Sequence, residues 1–124
     1  MVGTHGLSHI ALAVSDPERT GRFYEQAFGC RVYWRDADSV QVLGPGPHDV
    51  LAFDRDPENA GKSGGIAHFG FRLVRAQDID AVVDQALAAG ATLLRRGDFG
   101  DGLPFAYVAD PDGYEIELWF EPEA

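Results

Sequence analysis

Two rhythms of apolar residues run along this chain. Alternation marks a strand at 7–14, with Ile10, Leu12 and Val14 inward and His9, Ala11 and Ala13 outward. It recurs at 66–73, with Phe69, Phe71 and Leu73 inward and His68, Gly70 and Arg72 outward. It recurs again at 114–120, where Ile116, Leu118 and Phe120 face the core and Glu115, Glu117 and Trp119 face away. Shorter strands are predicted at 32–34, 39–43, 50–53, 91–94 and 105–108. Helical spacing replaces alternation twice. Ser15 or Asp16 caps a helix that has Pro17 in its first turn, carries Phe23, Tyr24, Ala27 and Phe28, and stops at Gly29. A second helix runs from about Asp78 to Ala89 on a stripe of Ile79, Val82, Val83, Ala86 and Leu87, and stops at Gly90. Asp110-Pro111-Asp112-Gly113 is a turn that feeds the last strand.

The pattern occurs twice. His9 falls on His68, Leu12 on Phe71, Val14 on Leu73 and Ala27 on Ala86, and the helix stops Gly29 and Gly90 correspond. Each half reads strand, helix, three strands. The expected fold is α+β, with two repeated βαβββ modules forming curved mixed sheets. One module covers about 5–54 and the other about 66–121, joined by a polar, glycine-rich linker at 55–65. Two copies indicate duplication rather than a solenoid, which needs at least three.

A chain of 124 residues is one domain's worth, and 45% apolar against 24% charged content excludes a disordered chain. The formal net charge of −10 argues against nucleic-acid binding. Cys30 is the only cysteine, so no intrachain disulfide forms and a reducing compartment suits the chain. The opening MVGTHGLSH lacks a signal-peptide pattern, and no apolar run reaches membrane-spanning length. A cytoplasmic protein without membrane partners is expected.

His9, His68 and Glu117 each stand on a strand face turned away from the core. One histidine on a strand is more often a surface or packed residue. Two at equivalent repeat positions, with a carboxylate on the last strand, make a two-histidine, one-carboxylate set that leaves positions open on a divalent metal. Fe(II), Mn(II), Zn(II), Co(II) and Ni(II) all suit these donors.

The repeated halves, the two histidines and the ending DPDGYEIELW resemble the vicinal oxygen chelate superfamily over 7–120. That group includes glyoxalase I, extradiol ring-cleaving dioxygenases, fosfomycin-resistance enzymes, methylmalonyl-CoA epimerase and bleomycin-binding proteins. The resemblance implies that His9, His68 and Glu117 are the metal ligands. It also implies a homodimer with shared cups, His9 coming from one chain and His68 with Glu117 from the other.

Two departures matter. Glyoxalase I places a second carboxylate on the last strand of its first half, whereas this chain has VLAF there, flanked by Asp49 and Asp54. Extradiol dioxygenases carry a tyrosine ten residues before the glutamate ligand, matched by Tyr107, and an earlier acid–base histidine, replaced here by Asp98, Phe99 and Gly100. Tyr107 is the catalytic candidate, with packing in the cup wall as its alternative. Arg72, Trp119 and Trp34 are substrate-binding candidates; Arg72 on a strand end equally suits solvent, and strand aromatics equally suit packing. The loop FGDGLP at 99–104 reads as a mobile flap, and His5 and His48 as exposed. Two functions fit: a metal-dependent dioxygenase, lyase, isomerase or transferase acting on a small oxygen-bearing substrate, or a non-catalytic protein that sequesters a small molecule such as an antibiotic.

Overall fold

Asp16 starts the first helix in the way its sequence predicts. Its Oδ1 accepts hydrogen bonds from the backbone N–H groups of Glu18 and Arg19, and Pro17 occupies the first turn. Gly29 ends the helix in the left-handed region at φ 69°. In the computed structural model, which describes residues 1–123, this helix belongs to the first of two units, Met1–Ala60 and Gly61–Ala124.

The first unit runs β1 (His9–Val14), α1 (Pro17–Phe28), β2 (Arg31–Arg35), β3 (Ser39–Leu43) and β4 (Val50–Arg55). Its sheet has the order β1-β4-β3-β2, with β1 parallel to β4 and the other pairs antiparallel. Phe23, Tyr24 and Ala27 of α1 are buried, as are Val40, Val42, Leu51 and Phe53 on the facing strands, and the Tyr24 ring stacks on Phe53 at 4.9 Å. Burying one such large side chain is worth about 1.5–3 kcal/mol. This packing assigns one sheet face to the helix and leaves His9, Ala11, Gln41 and Ala52 on the other.

The second unit repeats the plan with β5 (Phe69–Arg72), a 3-10 turn at Ala76–Asp78, α2 (Ile79–Ala89), β6 (Thr92–Asp98), β7 (Pro104–Ala109) and β8 (Glu115–Trp119). Strand order is β5-β8-β7-β6, with only β5 and β8 parallel. The two mixed four-stranded sheets and two helices make the α+β, βαβββ architecture that alternation and repeat predict. Val83, Ala86, Ala106, Val108, Ile116 and Leu118 are buried in this unit.

Three expectations need correction. Leu87, expected on the buried stripe, is 39% exposed, because α2 packs along the line from Val83 to Ala86 and Leu87 falls at its margin. The 99–104 segment, read from the sequence as a flap between short strands, is a tight hairpin connection between longer ones. Phe99 N–H bonds Leu103 O at 3.0 Å, Leu103 N–H bonds Gly100 O at 3.1 Å, and β6 extends to Asp98 to meet it. His68 precedes β5 instead of lying in it, since pairing with β8 begins at Phe69 opposite Ile116. Just upstream, Gly64 and Gly65 take positive φ.

Candidate functional site

The Asp110 turn sets the register on which the site depends. Its buried carboxylate accepts through Oδ1 from the N–H groups of Asp112, Gly113 and Tyr114, each at 3.0 Å, and Gly113 takes φ 101°. The chain then returns as β8 with Glu117 opposite Tyr107 on β7 and Gly70 on β5. Gly70 is required by contact. A Cβ there would lie 2.8 Å from the Glu117 carbonyl oxygen and 3.3 Å from Glu117 Cβ.

Three side chains meet on this face. His68 Nε2 lies 3.0 Å from Glu117 Oε2, and the Tyr107 hydroxyl donates to the same oxygen. The His68 and Tyr107 rings stand edge to face at 5.1 Å. Glu117 is 13% exposed beneath His68 at 36%, so the carboxylate is sheltered while the imidazole stays within reach of solvent. The hydrogen bond to Glu117 holds the Tyr107 phenol above its ordinary pKa; desolvation and the carboxylate charges of Glu117 and Glu115 act in the same direction, and Arg95 opposes them. Tyr107 therefore carries its proton at neutral pH and directs it at the carboxylate.

The first unit carries a different version of this face. His9 is exposed at the start of β1, with Ser8 Oγ 2.8 Å from Nδ1, a contact that orients the ring. By strand pairing, Ala52 occupies the place of Glu117, Gln41 that of Tyr107 and Trp34 that of Arg95. Tyr33, at the bulge in β2, donates to Gln41 Oε1 at 2.6 Å, and Trp34 is 45% exposed. Among the described residues, no group of three or more His, Cys, Asp or Glu side chains is disposed to hold a metal ion. His68 and Glu117 share the second unit, and His9 lies in the first.

A model of the Glyoxalase/Bleomycin resistance protein/Dioxygenase superfamily matches residues 6–118. The chain belongs to this superfamily. Among relatives of the superfamily chain, a putative lactoylglutathione lyase of Brassica oleracea is 31% identical over 122 residues, 89% of this chain and 42% of that protein. An iron-dependent extradiol dioxygenase of Rhodococcus jostii is 29% identical over 98% of this chain and 45% of its own length. The chain thus spans less than half the length of these curated relatives. The fold matches a fosfomycin resistance protein of Listeria monocytogenes with a TM-score of 0.81, at 20% identity, over 98% of this chain and 96% of that one.

Within the superfamily, Ala52 is informative. It stands where the first unit would place a carboxylate equivalent to Glu117. Asp54, expected at the strand's flank, lies inside β4, but opposite Ala13 and Ser39. Asp49 is engaged in the loop before β4, accepting from Gly46 N–H at 3.0 Å.

Sequence reading missed Arg95. Its guanidinium lies 4.0 Å from the Tyr107 ring centroid, and its Nη2 lies 2.7 Å from Glu115 Oε1. A register shift between Leu93 and Arg95 hides it, because the extra residue breaks the alternation that would have assigned its face. Arg72 donates through Nη2 to the carbonyl oxygens of Glu121 and Pro122, and its guanidinium lies 5.9 Å from the Trp119 ring centroid. No helix among the described residues is long and apolar enough to cross a membrane.

Proposed function

We propose that the chain is a divalent-metal-dependent enzyme acting on a small oxygen-bearing substrate, with His9, His68 and Glu117 as ligands. One observation carries this reading: His68 and Glu117 converge to 3.0 Å on an open sheet face, beside a tyrosine that donates to the same carboxylate. An imidazole and a carboxylate suit borderline divalent ions, and the second unit supplies two of the three donors. His9 completes the set from the first unit of a second copy, which makes the working form a homodimer. When bound, the metal supplies Lewis acidity to substrate oxygens.

The chain's own residues supply the rest. Tyr107 holds a proton at its hydroxyl, positioned to hydrogen-bond or protonate a substrate oxygen. Arg95 on the Tyr107 ring and Glu115 beyond it fix the phenol's position. Ala52 leaves the first unit without a carboxylate at the matching position, which disfavours the two-carboxylate glyoxalase I scheme and leaves dioxygenase, isomerase, transferase and other lyase chemistries open. The relatives named as a lactoylglutathione lyase and an iron-dependent extradiol dioxygenase support an enzyme of this superfamily.

Elemental analysis of wild type and Glu117→Ala tests the reading. About one metal equivalent per chain, lost in the variant, supports it, and iron would point to dioxygen chemistry. A wild type that holds no metal and cannot be loaded sinks it. The second reading, sequestration of a small molecule without catalysis, then takes its place.

A further inference from the structure

Among the described residues, the second unit's open face carries a cation that no acidic side chain neutralises. Of its four arginines, Arg75 pairs with Asp78, Arg95 with Glu115 and Arg96 with Asp80. Among the described residues, Arg72 makes its polar contacts to the carbonyls of Glu121 and Pro122, at 3.1 and 3.3 Å. An arginine has five N–H donors, and both of these bonds leave from Nη2, so Nε and Nη1 retain theirs. The carbonyl anchors hold the group in place without cancelling its charge, in a chain whose formal charge is −10.

Arg72 stands in register with Trp119, and Trp119 with Phe105. Gly97 leaves room for the Phe105 ring, which an added Cβ would meet at 2.8 Å, and Gly70 lies in ordinary contact range of Trp119, 3.5 Å from Cδ1 for a Cβ placed there. Phe105 is in turn stacked by Phe99 at 4.4 Å. The row thus runs from a cation across two aromatic side chains, next to the row that holds Glu117 and Tyr107. The repeat gives an internal contrast: in the first unit the pair corresponding to Arg72 and Trp119 is Ala13 and Asp54. Cation and ring arise together in the second unit, and neither has a counterpart in the first.

We propose that Arg72 and Trp119 form a subsite for a flat carboxylate, the anion held by the free guanidinium donors and the planar body lying against the indole. This rests on the reading of the second unit's face as the substrate site, and it narrows the substrate class to planar monoanions. Arginine suits this task better than lysine because its fork is fixed by the two carbonyls while still offering donors to an anion.

Sodium benzoate is the probe. Titration of the protein in EDTA, followed by ¹H–¹⁵N NMR, should shift the Trp119 indole N–H and the Arg72 Nε–H together and saturably. Arg72→Gln should weaken binding about tenfold, as expected for loss of a charge-assisted contact, and Arg72→Lys should fall between. Cyclohexanecarboxylate, with the same charge and no flat face, should bind several-fold more weakly. An indole signal that does not respond to benzoate, equal affinity in Arg72→Gln, or equal affinity for the two acids would each overturn the proposal. The titration uses no metal, so it fails independently of the metal reading. Metal loss from Glu117→Ala with benzoate binding intact supports both readings, whereas a metal-free wild type that still binds benzoate sinks only the metal site.

Discussion

Replacing Asp110 should separate the local turn from the site it positions. Asp110 Oδ1 takes three backbone N–H donors at 3.0 Å, and the Tyr114 bond is fully buried. A net value near 1 kcal/mol per hydrogen bond, raised because the acceptor is a carboxylate and lowered because one oxygen serves three donors, gives about 2–3 kcal/mol for Asp110→Ala. The buried Tyr114 N–H also loses its side-chain acceptor, which holds the figure at the upper end. Asp110→Asn keeps an acceptor oxygen without the charge and should lose about 1 kcal/mol. Urea unfolding followed by circular dichroism reads both variants, and a slope m unchanged from wild type marks the comparison as one of stability alone. The turn sets β8, and through it Glu117 opposite Tyr107, so metal content should fall in Asp110→Ala under conditions where the protein is still folded. A loss under about 0.5 kcal/mol for Asp110→Ala, or equal losses in the two variants, would refute the view that the charged acceptor holds the turn.

Two further outcomes are expected. Gly70→Ala forces a methyl group to within 2.8 Å of a backbone oxygen on β8, so edge strand β5 must shift. We expect a loss of about 1–3 kcal/mol and weaker metal binding through displaced His68; an unchanged melting temperature would count against the close approach. Burial first, then the charges of Asp49 and Glu25, push the Cys30 thiol up to about 11. The folded state holds this proton more tightly than the unfolded chain does. The thiol's contribution is therefore complete below about pH 9, declines as pH rises toward 11 and is lost above it. Cys30 should react slowly with a disulfide reagent at pH 8 in the native protein and rapidly in urea; rapid native reaction would contradict the burial.

Much of this architecture was legible because burial and period agree. Alternation in 114–120 assigned Ile116 and Leu118 to the core, and both are fully buried. Asp16, Gly29 and Gly90 read correctly as helix ends because capping is local chemistry. What escaped depends on neighbours distant in sequence. The length of β6 is set by its partner β7 and by the Phe99–Phe105 stack, and the exposure of Leu87 by how little of α2 the sheet covers. His68 lay beyond the strand's edge for the same reason: pairing with β8, and not the local alternation of 66–73, decides where β5 begins.

Duplication explains both the strength of the histidine signal and its limit. A repeated strand carries its outward residue into both copies, so His9 and His68 correspond whether or not each retains a task. The residues around them test for retention. In the second unit, pairing gives His68 a carboxylate, a phenol and, over that phenol, a guanidinium. In the first, it gives Ala52, Gln41 and Trp34 at the matching places. Two copies of one plan have thus diverged at the same three positions, from charged and acidic groups to small, amide and aromatic ones. The ordered Tyr33–Gln41 pair shows that the first face is not simply stripped of polar groups; an amide takes the place of the phenol, and alanine that of the acid. This asymmetry leaves Glu117 as the carboxylate of the proposed site, with Tyr107, which donates to it, as the proposed proton carrier.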